Sequence, residues 1–151
     1  MFEATVVGLM RKFLLAILLL GMVGSGAELV LLGHSEDYRQ WIPLVLLAAG
    51  LIVCTWQSVS SSVTAMRVMR WLMIGFVISG GLGIYFHYQG LVEFKHESNP
   101  SLRGWTLFWQ AIRGKNPPFL APGVLIQLGW VGLVYTYKHP ALSRSKGESN
   151  A

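Results

Sequence analysis

The amino-acid sequence predicts an all-α polytopic membrane protein, with four transmembrane helices in an antiparallel bundle and a short amphipathic helix in the third loop. Three observations predict it. Of 151 residues, 53% are hydrophobic and only 13% are charged, against roughly 25% charged in a soluble domain, so the charges are too few to make a hydrated skin. Four apolar stretches approach the about 20 residues a helix needs to cross a bilayer. No ten-residue stretch alternates apolar with polar as a barrel strand does. Helices instead pair their backbone groups within each segment, as hydrocarbon demands.

The formal charge is +5 without a long basic run, which suits topology and anionic headgroups. Nucleic-acid binding needs a basic face on a soluble surface, and none is legible. The one cysteine, Cys54, lies in an apolar run, which excludes an internal disulfide and a two-thiol redox site.

The first span is expected over residues 13–33, after Arg11-Lys12, with Glu28 as its one charge. A secretory signal is the rival reading of its start, because Gly24-Ser25-Gly26-Ala27 follows the apolar run Phe13–Val23. Apolar sequence resumes at Leu29, which favours a span. The second covers 41–63, opened by Pro43 in its first turn and weakened at its far end by Gln57, Ser58, Ser60, Ser61 and Ser62. Its Ser and Thr hydroxyls are expected to bond back to their own helix carbonyls. The third covers 68–88, with Arg67 and Arg70 at its start. The fourth covers 120–137, where the apolar run Pro122–Tyr137 is 16 residues and borrows Phe119, Leu120 and Ala121. These spans make one membrane domain, 1–142, followed by a polar tail, 143–151, expected to be disordered.

Lys and Arg concentrate on the cytoplasmic side of membrane proteins. With the N-terminus inside, that side holds Arg11, Lys12, Arg67, Arg70, Lys138, Arg144 and Lys146, and the outside holds Arg39, Lys95, Arg103, Arg113 and Lys115. Both termini are therefore expected in the cytoplasm of a cell with this inner (plasma) membrane. The loop His34–Gln40 is short enough for a helical hairpin. The loop Gln89–Ala121 is long, and within it 101–113 predicts a helix. Leu102, Trp105, Phe108, Trp109 and Ile112 share a face, Ser98-Asn99-Pro100-Ser101 supplies a start, Gly114 a stop, and Asn116-Pro117-Pro118 a break. That face suits either the outer interface or the end of the bundle.

Lipid removes the usual hydrophobic gain between helices, so small residues that permit close approach mark packing faces. Gly21 and Ser25, Gly75, Ser79 and Gly83, and Gly129 and Gly132 are the candidates. Gly80-Gly81 is the best place for a hinge. Among polar groups Glu28 stands first, because a mid-helix carboxylate costs about 2.5–3.5 kcal/mol on insertion scales. It lies roughly 9 Å below the outer end of its helix at 1.5 Å per residue. Gln127, His87 and His34 are expected at the same end, making with Glu28 either a proton-linked or ligand site or a hydrogen-bonded cluster that sets helix register. Glu93, Lys95, Glu97 and Arg103 form a polar patch in the third loop. No paired His spacing, haem attachment, hydrolase, P-loop or metalloprotease motif occurs, so no cofactor and no metal is assigned.

Pro100-Ser101-Leu102-Arg103-Gly104-Trp105, Leu120-Ala121-Pro122-Gly123 and Tyr135-Thr136-Tyr137-Lys138-His139-Pro140 together resemble uncharacterised small four-helix inner-membrane proteins of bacteria. The resemblance covers the last third of the chain and implies fold and location without an activity. Small multidrug transporters also have four spans and a carboxylate in the first, but the longer third loop and off-centre Glu28 depart from them. The leading expectation is a non-enzymatic accessory or assembly subunit, with the bilayer, other membrane subunits or further copies of itself as partners. A proton-coupled transporter or channel component using Glu28 is the alternative. An oxidoreductase subunit holding haem or quinone is the third.

Overall fold

A computed structural model of the chain describes residues 2–60, 62–114 and 118–142, with side chains from Thr5 onward. The described residues form five helices and no strand: α1 Phe2–Leu31, α2 Tyr38–Ser60, α3 Val63–Ser98, α4 Gly104–Ile112 and α5 Gly123–Thr136. Helices α1, α2 and α3 are long and apolar enough to cross a membrane, and α5 is a shorter apolar helix. At 1.5 Å per residue the 14 residues of α5 rise about 21 Å, less than the roughly 30 Å of hydrocarbon.

Several boundaries differ from the sequence expectation, each for a local reason. Arg11 and Lys12 lie inside α1 rather than before it, because the apolar stretch Val6–Met10 extends the helix toward the N-terminus. Gly24 to Ala27 continue the same helix. Helix α2 starts at Tyr38, where the Gln40 side-chain oxygen accepts from the backbone N–H of Glu36 at 2.8 Å and of Asp37 at 3.3 Å. Pro43 thus falls inside the helix beyond its first turn. The second span ends at Ser60 rather than residue 63, since Ser62 caps α3 by accepting from Ala65 N at 3.0 Å. Thr55, Ser58 and Ser60 donate to the carbonyls of Leu51, Cys54 and Trp56 four residues back.

The largest correction concerns the third loop. Helix α3 does not stop at Tyr88 but runs on to Ser98, so residues 89–98 are helical. Its 36 residues rise about 54 Å, far more than the hydrocarbon thickness. Asn99 ends it, donating its N–H to Lys95 O at 3.0 Å, and the Asn99 side chain then accepts from Ser101 N and Oγ. The segment expected to open α4 therefore closes α3. Helix α4 begins at Gly104, whose φ of +57° is left-handed backbone, a conformation that suits glycine. Lys115, Asn116, Pro117 and the tail 143–151 lie outside the described residues.

Helix α3 packs against α2, α4 and α5, and α1 against α2 and α5. The fully buried side chains include Leu18, Met22, Leu47, Met66, Met69, Met73 and Phe76. Four of these are methionines, whose flexible thioethers fill irregular space. Glycines bring the backbones together. A Cβ on Gly129 would lie 2.8 Å from Met73 O, and one on Gly80 3.0 Å from Ile126 N. Gly132 abuts Met73, and a Cβ on Gly83 would lie 2.7 Å from Pro122. Contacts that step up α3 thus step down α5. A Cβ on Gly21 would lie 2.5 Å from Leu128, and one on Gly50 would run into Met22 and Phe76, which ties α1, α2 and α3 at one level. A Cβ on Gly75 would meet only Leu46 within 4 Å, at 3.9 Å, and Ser25 and Ser79 are half-buried. Gly81 is open where its neighbour Gly80 is filled, so this pair serves a packed seam on one side only.

Candidate functional site

Polar chemistry gathers at the two ends of the helices. At the end where α1 meets α2, His34 is half-buried in the turn after α1. Burial, and beyond it the His87 ring, hold His34 below the ordinary imidazole range. The His87 Nδ1 lies 3.0 Å from Pro118 O, joining α3 to the segment before α5. The Arg39 guanidinium sits 4.9 Å from the Phe86 ring centroid, a cation–π contact from α2 to α3. His34 and His87 therefore lie at the same end, near enough for the charge of one ring to act on the other.

Glu28 and Gln127 are not brought into a shared buried site with them, since both are exposed. The Gly21–Leu128 contact sets the register between α1 and α5. By it, Gln127 lies about 9 Å deeper along α1 than Glu28 at 1.5 Å per residue. Glu28 is also shallower than the sequence implied. Helix α1 ends at Leu31, and the turn closes with Leu32 N donating to Glu28 O and His34 N to Leu29 O, both at 2.9 Å.

Beyond that end α4 folds against α3. Ala111 and Leu91 are buried, and Leu91 packs so closely on Gly114 that a Cβ there would lie 2.5 Å from it. Trp105 stacks on Phe108 with centroids 5.0 Å apart, and Trp109 stands edge-on to both. Phe108 and Phe119 both meet the Tyr88 ring, at 5.9 and 6.1 Å. The Arg113 guanidinium lies 5.2 Å from the Trp109 centroid. Outward this leaves an aromatic face, with Trp105 69% and Phe94 60% exposed. Glu93, Glu97 and Arg103 are exposed and Lys95 half-buried. Glu93, Lys95 and Glu97 belong to α3 rather than to a loop.

The opposite end holds a second constellation that the sequence did not disclose. Arg70 donates to Thr136 O at 2.9 Å and lies 3.4 Å from Thr136 Oγ1, which itself donates to Leu133 O at 3.0 Å. Arg11 donates to Lys138 O at 3.1 Å. Lys138 adopts φ +44°, and the chain turns there to stack His139 on Tyr135 with centroids 5.4 Å apart. Gln57 is buried near Tyr135, and its Oε1 has no hydrogen-bond partner among the described residues. Burial, then Arg11, hold His139 below the ordinary imidazole range. Arg11, Lys12, Leu15, Tyr135, His139 and Pro140 line an open cleft of about 280 Å³. The signal for this site is the basic pairing of Arg11-Lys12 with Lys138, which sequence reading assigned to orientation alone.

Among the described residues no three His, Cys, Asp or Glu side chains gather as a metal site. No protein-family model matches the chain, and neither a curated protein nor a solved structure matches it.

Proposed function

We propose that the chain is a four-span, antiparallel subunit of the inner (plasma) membrane, with both termini cytoplasmic, that acts by assembly rather than by catalysis. In this reading α5 completes its crossing with the turns on either side of it. The α3–α4 head carries the proposal. Ten helical residues beyond Tyr88 raise it about 15 Å past the expected third span at 1.5 Å per residue. Side-chain packing of Leu91, Ala111 and Gly114 fixes α4 upon it. A loop with no task beyond joining two spans needs neither that length nor a fixed aromatic face. Trp, Tyr and Arg are the residue types that dominate binding at protein interfaces.

The test combines two measurements. A Ser98→Cys reporter, in a chain whose Cys54 is replaced, is expected to react with an impermeant thiol reagent in cells whose outer membrane alone is permeabilised. Labelling only after the inner membrane is broken reverses the orientation. Trp105→Ala with Trp109→Ala is expected to release the chain from its complex in gently solubilised membranes while its own melting changes little, because both rings are exposed. Unchanged complex mass removes the assembly reading.

A further inference from the structure

We propose that the cleft between α1 and the turn after α5 is a binding site for the phosphate of an anionic phospholipid in the cytoplasmic leaflet. Depth is the first support. From Arg11 to Leu31 the helix advances about 30 Å at 1.5 Å per residue, the thickness of the hydrocarbon core. With Leu31 at one boundary, Arg11 and Lys12 stand at the other, at the level of lipid headgroups.

Charge is the second support. Among the described side chains this end carries Arg11, Lys12, Arg67, Arg70 and Lys138, while the acids Glu28, Glu36, Asp37, Glu93 and Glu97 all lie toward the other end. Basic pockets between helices on the cytoplasmic side are suited to anionic headgroups.

The donors are also built into place. Arg11 spends one N–H on Lys138 O, which fixes its guanidinium beside the cleft and leaves further donors of its planar fork. Lys12 is exposed next to it. The Nδ1 of His139 accepts from Ala141 N at 3.3 Å, so the neutral ring carries its proton on Nε2 as an uncharged donor. Leu15 and Pro140 give the cleft an apolar wall for the glycerol and upper acyl carbons. The proposal needs the membrane placement of α1, its leaflet rests on the orientation proposed above, and it is independent of the assembly reading, because the aromatic head is at the far end of the molecule.

Native mass spectrometry of the full chain in a neutral detergent tests it, with phosphatidylglycerol and phosphatidylcholine of the same acyl chains as probes. Phosphatidylglycerol is expected to be retained over phosphatidylcholine. R11Q with K12Q removes two charges and is expected to weaken that retention about thirty-fold, taking about five-fold per surface charge. R103Q with R113Q, at the other end, leaves it unchanged. K12E alters an exposed residue and carries the test if the double variant does not fold, again with about thirty-fold weakening expected for a change of two charges. Equal retention of the two lipids overturns the proposal, as does K12E with unaltered phosphatidylglycerol binding. Displacement of the lipid by excess inorganic phosphate overturns the lipid as the source and makes this a site for a free anion.

Discussion

Adding one methyl group to each of two neighbouring glycines separates close helix packing from intrinsic helix preference. Gly80 and Gly81 are adjacent in α3, so Gly→Ala at either gains a similar helix preference of about 0.8–1.0 kcal/mol. Their surroundings differ. A Cβ on Gly80 would lie 2.6 Å from Ile126 Cγ1 and 3.0 Å from both Ile126 N and Pro122 O, whereas a Cβ on Gly81 would meet nothing within 4 Å. Two of the three contacts are backbone, so α5 must move away as a body. Such overpacking costs about 1–3 kcal/mol. Gly80→Ala is therefore expected to be less stable than Gly81→Ala by about 1–3 kcal/mol, with the helix term cancelling between them. Gly81→Ala itself should equal or exceed the parent. Reversible unfolding of both variants in mixed micelles, followed by tryptophan fluorescence, measures the difference. Equal stabilities, or Gly80→Ala the more stable, would refute close α3–α5 approach at Pro122–Ile126.

Two further outcomes follow from the polar groups. Glu28→Gln keeps the shape of an exposed side chain and is expected to leave expression, assembly and cellular phenotype intact; loss of phenotype with normal assembly would instead favour proton coupling. His34 is held below its ordinary value of 6.5, by burial and then His87, so the unfolded chain binds the extra proton first. Its contribution to stability is present above 6.5 and is lost as pH falls through its folded value. The melting temperature is expected to fall between about pH 7 and pH 5, less steeply in His34→Gln. An identical slope in the variant assigns the loss to other groups, His139 among them.

The all-helical class was legible because hydrophobicity over long stretches reports directly on the solvent a helix must meet. The ends of the helices were not, for a related reason. Residues 89–98 are polar enough to read as loop, yet Leu91 finds a packed environment against Gly114 and the helix continues to Ser98. Ser62 was read as the polar end of the second span, although a serine between two helices is as good a cap for the next one. Gly50 escaped because it has no small partner four residues away, and its task, admitting Met22 and Phe76, is visible only across three helices. The basic end was illegible for the same reason. Arg11 meets Lys138 across 127 positions and Arg70 meets Thr136 across 66, and no local pattern encodes either pair.

Glu28 illustrates how depth decides what a charged residue means. Read against an apolar run ending near His34, it counted as a mid-span carboxylate, an expensive group that must serve a purpose. With α1 ending at Leu31, it lies about 4.5 Å from the end of the helix at 1.5 Å per residue. There a side chain can reach headgroups and water, and the cost of a membrane charge falls steeply toward the interface. Its place in the last turn, near the negative end of the helix dipole, gives it no stabilising role there. The functional weight that sequence placed on one carboxylate moves to the opposite end of the same helix. There Arg11 and Lys12 stand about 25 Å from Glu28 by the rise of α1, one bonded across the bundle to Lys138 O and the other lining the same cleft.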